Sequence, residues 1–129
     1  MKPLAPTLTA HLFEPLNAEL LVLLRGLEPE DWQRPTSAGE WRVRNVVAHL
    51  LDGSLRRLSI SRDGHGLPPD RRIAGYDDLL RFLNDLNAEW VRALRRVSPA
   101  LLVDLLASVA VAGHERLARP FLDARAVMV

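Results

Sequence analysis

The chain has 129 residues, 48% of them hydrophobic, with 17 basic against 16 acidic side chains and no cysteine. This length predicts a single domain over 1–129, and the apolar content is high enough to bury a core, which argues against disorder. The near-neutral charge argues against nucleic acid and anionic membranes as partners, and the lack of cysteine excludes disulfides and thiolate ligands.

The first predicted helix covers about 14–25, where leucines recur at spacings of three and four. Pro15 is tolerated only near a helix start, and Gly26 is a typical C-terminal stop. The acidic stretch 28–32 predicts a short helical turn. An amphipathic helix and a turn therefore precede the middle of the chain.

A loop over 34–40 leads into the second predicted helix, over about 43–61. Its apolar positions keep the helical spacing: Val43, Val46, Val47, Leu50, Leu51, Leu55 and Leu58. Glycines and prolines are concentrated over 63–75, which predicts a surface connection. The third helix is predicted over about 76–97, with an apolar stripe of Leu79, Leu83, Leu86, Trp90, Leu94 and Val97.

Ser98 and Pro99 suit the N-cap and the first position of a fourth helix. Its predicted core residues are Leu102, Leu105, Leu106 and Val109. Gly113 weakens this helix and Pro120 should break or kink it, so we expect an irregular or truncated last helix. No stretch alternates as a strand would, and the pattern predicts an all-α four-helix bundle.

A motif runs from Trp32 to Leu50, W-x-x-P-T-x-x-G-E-W-x-V-R-x-V-V-A-H-L. It resembles the DinB-like superfamily, and most of all the N-terminal domain of mycothiol-dependent maleylpyruvate isomerase. The matching residues are Trp32, Pro35, Thr36, Trp41, Val43, Arg44, Val46, Val47, Ala48, His49 and Leu50. The resemblance covers about 12–58 clearly and 76–106 by helix order.

The resemblance implies a four-helix bundle that binds a divalent metal through three histidines and uses a low-molecular-weight thiol. One such histidine lies on the second helix, where this chain has His49, and two form H-x-x-x-H on the last helix. This chain has no H-x-x-x-H: His114 is followed four positions later by Ala118. From about Ala107 onward it does not match the family's last helix, and a diverged, truncated or altered terminus all stay open.

His49 is the first candidate metal ligand because it lies at the edge of the second helix's apolar stripe, beside Val46. That position equally suits a half-exposed surface histidine. His114 is the second candidate, and with Glu115 it could complete a set of two histidines and a carboxylate. His11 and His65 are predicted to be solvated.

The remaining candidates have simpler interpretations. Trp32 and Trp41 predict packing at the end of the bundle, with ligand contact as the alternative, and Trp90 is predicted to be core. The arginines of the second and third helices and of the loop between them predict a solvated face, since acidic residues are interspersed. An anionic substrate near Arg42 or Arg44 has no further support.

Two functions follow from these observations. The first is a metal-binding protein with an incomplete ligand triad, related to mycothiol-dependent isomerases and thiol transferases, with zinc or nickel, a thiol such as mycothiol and a small-molecule substrate as ligands. The second is a non-catalytic bundle that forms a homodimer or binds a partner through apolar faces of helices one and three. Only scattered apolar residues follow Met1, so we expect no signal peptide and a cytoplasmic protein.

Overall fold

This computed structural model describes residues 2–117 of the chain. This part of the chain contains four long helices. They are α1 (Phe13–Arg25), α2 (Val43–Ser61), α3 (Tyr76–Ala93) and α4 (Pro99–Leu117). Short 3₁₀ turns precede α1 and α2 and follow α3, at Ala10–Leu12, Asp31–Gln33 and Leu94–Arg96. No strand forms within residues 2–117, where the one extended pairing is an isolated bridge between Pro35 and Arg42. The predicted all-α fold is confirmed.

The centre of the fold is the pair α2 and α4. Outside this pair, α1 packs mainly on α4 and α3 mainly on α2. The core lies between these elements and consists of Leu24, Trp32, Val47, Ala48, Leu51, Leu102, Val103 and Leu106. Leu51 and Leu102 are the most completely buried of these side chains. The packing therefore depends chiefly on one face of α2 and one face of α4.

Two hydrogen-bonded contacts between α2 and the α3 region show how these two helices run relative to each other. The indole Nε1 of Trp90 donates to the carbonyl oxygen of Ala48 at 2.8 Å. The Arg44 guanidinium donates to the carbonyls of Leu94 and Val97. These bonds satisfy carbonyl groups that follow the C-terminal end of α3. Because α3 residue numbers fall as α2 numbers rise, the two helices are antiparallel. Leu83 then lies opposite Leu55, each seven residues from the Trp90–Ala48 contact.

The start of α4 follows from its first residues. The Ser98 hydroxyl oxygen accepts the backbone N–H of Leu101 at 3.2 Å, as an N-cap does, and Pro99 occupies the first helical position. The predicted start is confirmed. The core prediction for α4 is wrong at Leu105, which is 39% exposed because it lies at the edge of the face that packs on α1 and α2, next to exposed Leu101.

The apolar stripe of α3 is covered over only half its length. Leu86, Trp90 and Leu94 are half-buried, whereas Leu79 and Leu83 are 39% and 37% exposed. No residue of α3 is fully buried. The helix also ends at Ala93 and continues as a 3₁₀ turn, so the predicted α-helix to residue 97 was too long.

The described part of α4 is a continuous helix, and Gly113 does not interrupt it. Pro120 and the irregular ending predicted for this helix lie outside the described residues. Within residues 2–117, none of the helices combines the length and the apolar character that crossing a membrane requires.

Candidate functional site

His49 lies beside Trp41, at the end of the fold where the chain enters α2. The two ring centroids are 5.1 Å apart and the ring planes are inclined by 47°. A short turn holds the tryptophan: the Thr36 hydroxyl donates to the Trp41 carbonyl at 2.6 Å and accepts the N–H of Ala38. Gly39 has φ of +65°, which favours glycine there. The motif residues therefore position an indole against the imidazole.

The imidazole of His49 has an unmet hydrogen-bonding group. Its ring is half-buried, and Nδ1 is enclosed with no hydrogen-bond partner in the described part of the chain. An enclosed polar atom without a partner destabilises the fold by about 1–3 kcal/mol relative to a satisfied one. Buried polar atoms nearly always have a partner, so this nitrogen makes His49 a candidate for a functional role.

The metal site that the resemblance implies needs further ligands beside His49. Zinc sites in proteins use three or four protein ligands. Within residues 2–117, no group of three or more His, Asp or Glu side chains is arranged to hold a metal ion. The described residues therefore do not fit a complete family-type triad, and the assignment of His49 as a ligand stays a prediction.

His114 lies in a different place, in a cleft between α1, α2 and α4. Its Nε2 is 2.9 Å from the amide nitrogen Nδ2 of Asn17. With the amide as donor, Nε2 is the acceptor and the neutral ring carries its proton on Nδ1. The cleft has a volume of about 30 Å³. Glu115, the carboxylate proposed to act with His114, is exposed.

The fold does not bring His49 and His114 together. Leu58 lines the His114 cleft and lies nine residues beyond His49 on α2. Nine residues correspond to about 13.5 Å along the helix axis and half a turn around it. The cleft and the His49–Trp41 pair therefore lie at different levels along α2, and their nitrogens do not converge on one ion.

Two polar residues of the interior were missed by sequence reasoning. Asn17 occupies a core-facing position of α1, between Phe13 and Leu20. Asp52 occupies a core-facing position of α2, next to Leu51. Asp52 is only 7% exposed, and its carboxylate pairs with Nε of Arg56 at 3.2 Å. The available signal was a polar residue inside an apolar periodic series.

The other candidate residues have structural surroundings. Trp32 is buried in the core at the end of the bundle, as predicted, and Trp90 packs against that core while half-buried. Both His11 and His65 are exposed, as predicted. The Arg44 guanidinium bonds two backbone carbonyls, which gives that residue a role in joining elements.

Comparison with known proteins gives one family. A family model described as the mycothiol maleylpyruvate isomerase N-terminal domain matches residues 13–129. Neither the curated proteins nor the solved structures contain a match to the chain. The match covers all four helices and both tryptophans of the motif.

Proposed function

Because this chain belongs to the mycothiol maleylpyruvate isomerase N-terminal domain family, a DinB-like family, we propose that it is a ligand-binding member centred on His49 with an incomplete metal triad. The observation that carries this proposal is the enclosed Nδ1 of His49, which has no hydrogen-bond partner within residues 2–117, on a ring that lies against Trp41. A divalent metal and a small thiol are the ligands to test, the thiol because mycothiol is part of the family's name. Any catalysis would be of the isomerase or transferase type.

The test is metal-dependent thermal stability. A ligand that binds only the folded state stabilises it, by about 1.4 kcal/mol at ten times its dissociation constant. We expect zinc or nickel to raise Tm, and His49→Ala to abolish the rise. His65→Ala is the matched control, since it removes an exposed loop histidine. Elemental analysis without metal, together with an unchanged Tm at every metal concentration, would contradict the proposal, and so would an equal rise in His49→Ala.

A second candidate function, homodimerisation, is favoured by the uncovered end of α3. We define the α2–α3 apolar patch as Leu55, Leu79 and Leu83, which are between 37% and 39% exposed. A second copy of the chain can cover this patch with the same three leucines in a two-fold arrangement. Sedimentation velocity over a range of concentrations distinguishes this dimer from a monomer.

A further inference from the structure

Arg57 is a half-buried cation in the cleft beside His114. Its guanidinium carbon lies 5.1 Å from the centroid of the Phe13 ring, a cation–π contact. No carboxylate pairs with Arg57 among residues 2–117, whereas its neighbour Arg56 is paired with Asp52. The positive charge is therefore held in place by an aromatic face while its N–H donors stay available.

The other cleft groups add donors and leave room. Asn17 uses one amide N–H toward His114, so its second N–H is free to bond a ligand. Ser54 donates its hydroxyl to the Leu50 carbonyl at 3.1 Å and can therefore only accept. A side chain added at Gly113 would meet nothing within 4 Å, which shows open space on the α4 side. The lining of the cleft combines these polar side chains with the apolar side chains of Phe13, Leu58 and Val109.

The volume of the cleft suits a small polar group. A water molecule needs about 10–15 Å³ of such space, so 30 Å³ accommodates about two oxygen-sized groups. A carboxylate has two oxygens at a fixed separation, and a planar guanidinium matches that geometry. We propose that the cleft formed by Asn17, Arg57 and His114 binds the carboxylate group of a small organic anion. Arg57 supplies the charge, and the Asn17 amide supplies a neutral donor.

The experiment is an NMR titration of ¹⁵N-labelled full-length protein with sodium acetate at constant ionic strength, using sodium chloride as the balancing salt. We expect saturable shifts of amides around the cleft, in 13–17, 54–58 and 109–114. Arg57→Gln should weaken acetate binding by about tenfold or more, since a hydrogen bond to a charged group is lost. Arg92→Gln is the matched control, because it removes the same charge from the exposed side of α3 and should leave acetate binding unchanged.

Three results would overturn the proposal. The first is amide shifts that do not saturate or that lie away from the cleft. The second is an acetate affinity of Arg57→Gln equal to that of the unsubstituted protein. The third is inorganic phosphate that binds the cleft as tightly as acetate does. If Arg57→Gln does not fold, Arg57→Lys replaces it, since lysine keeps the charge but loses the planar pair of donors. Weaker saturable acetate binding in Arg57→Lys supports the proposal, and unchanged acetate affinity in that variant contradicts it. The titration needs no metal and does not depend on His49.

Discussion

Adjacent residues of α4 have opposite surroundings, and stability depends on which of them is changed. Leu102 is completely enclosed between α1 and α2, whereas Leu101 is 46% exposed. One helical step turns the side chain by about 100°, which is enough to move it from the core to solvent. The same leucine side chain therefore contributes differently at two consecutive positions.

Leu102→Ala should lower the free energy of unfolding by about 2–5 kcal/mol, because it removes buried apolar contacts and leaves a cavity. Leu101→Ala is the control, with an expected change of at most about 0.5 kcal/mol at a partly solvated site. Urea denaturation followed by circular dichroism measures both. Equal losses for the two variants would mean that Leu102 is not the core position.

Residue-scale burial was predictable where a neighbouring helix covers the apolar face. Leu102 and Leu106 follow from the periodicity of α4 alone. Leu105 does not, because periodicity identifies an apolar direction but not the width of the surface that α1 and α2 cover. The enclosure of the His49 Nδ1, which has no hydrogen-bond partner within residues 2–117, was equally unpredictable because it depends on tertiary packing around α2.

At the scale of elements, the helices follow local chemistry except where a distant residue intervenes. The predicted range of α2 agrees with the structure at both ends, and α1 begins within one residue of its predicted start. The predicted end of α3 was late by four residues. There the Arg44 guanidinium, fifty or so residues earlier in the chain, bonds the Leu94 and Val97 carbonyls beyond the helix. The sequence around residues 94–97 does not predict that contact.

The start of α3 depends on Asp78. Its carboxylate accepts hydrogen bonds from Arg81 at 2.7 Å and from the backbone N–H of Ala74 at 3.0 Å. The Arg81 bond first, and the backbone bond second, hold the pKa of Asp78 below its ordinary value of 3.8. Because the folded pKa is the lower one, the stabilisation is present above about pH 4 and is lost as pH falls through the folded pKa.

Asp78→Asn should therefore lower Tm at pH 7, and the difference from the unsubstituted protein should shrink as the pH falls below 4. Asp77→Asn is the control, since it removes the same charge from the first turn of α3 without those hydrogen bonds. Thermal melts at pH 7, 5, 4 and 3 measure both variants. A Tm difference for Asp78→Asn that stays constant over this range would show that its ionisation does not stabilise the helix start.

At the scale of the whole molecule, the arrangement of helices decides which residues can act together. The family and the four-helix fold were predictable, because the Trp32–Leu50 motif and the apolar periodicity are both local. The relation of His49 to His114 was not, since it depends on α2 and α4 running in the same direction. Arg44 lies beside Val97 at the start of α4, while Leu58 shares the later cleft with His114. The two histidines therefore lie at different levels along the axes of α2 and α4.

Within residues 2–117, the same arrangement leaves the α2–α3 apolar patch partly exposed, and a single charged substitution tests its role. Leu83→Glu should shift a dimer toward monomer, because burying an unpaired carboxylate in an apolar interface is strongly unfavourable. Leu105→Glu is the matched control, since that leucine is similarly exposed, at 39%, but lies on α4 away from the patch. Sedimentation velocity should show a larger dissociation constant for Leu83→Glu alone. A monomer at every concentration of the unsubstituted protein, or equal dissociation of both variants, would contradict an interface through this patch.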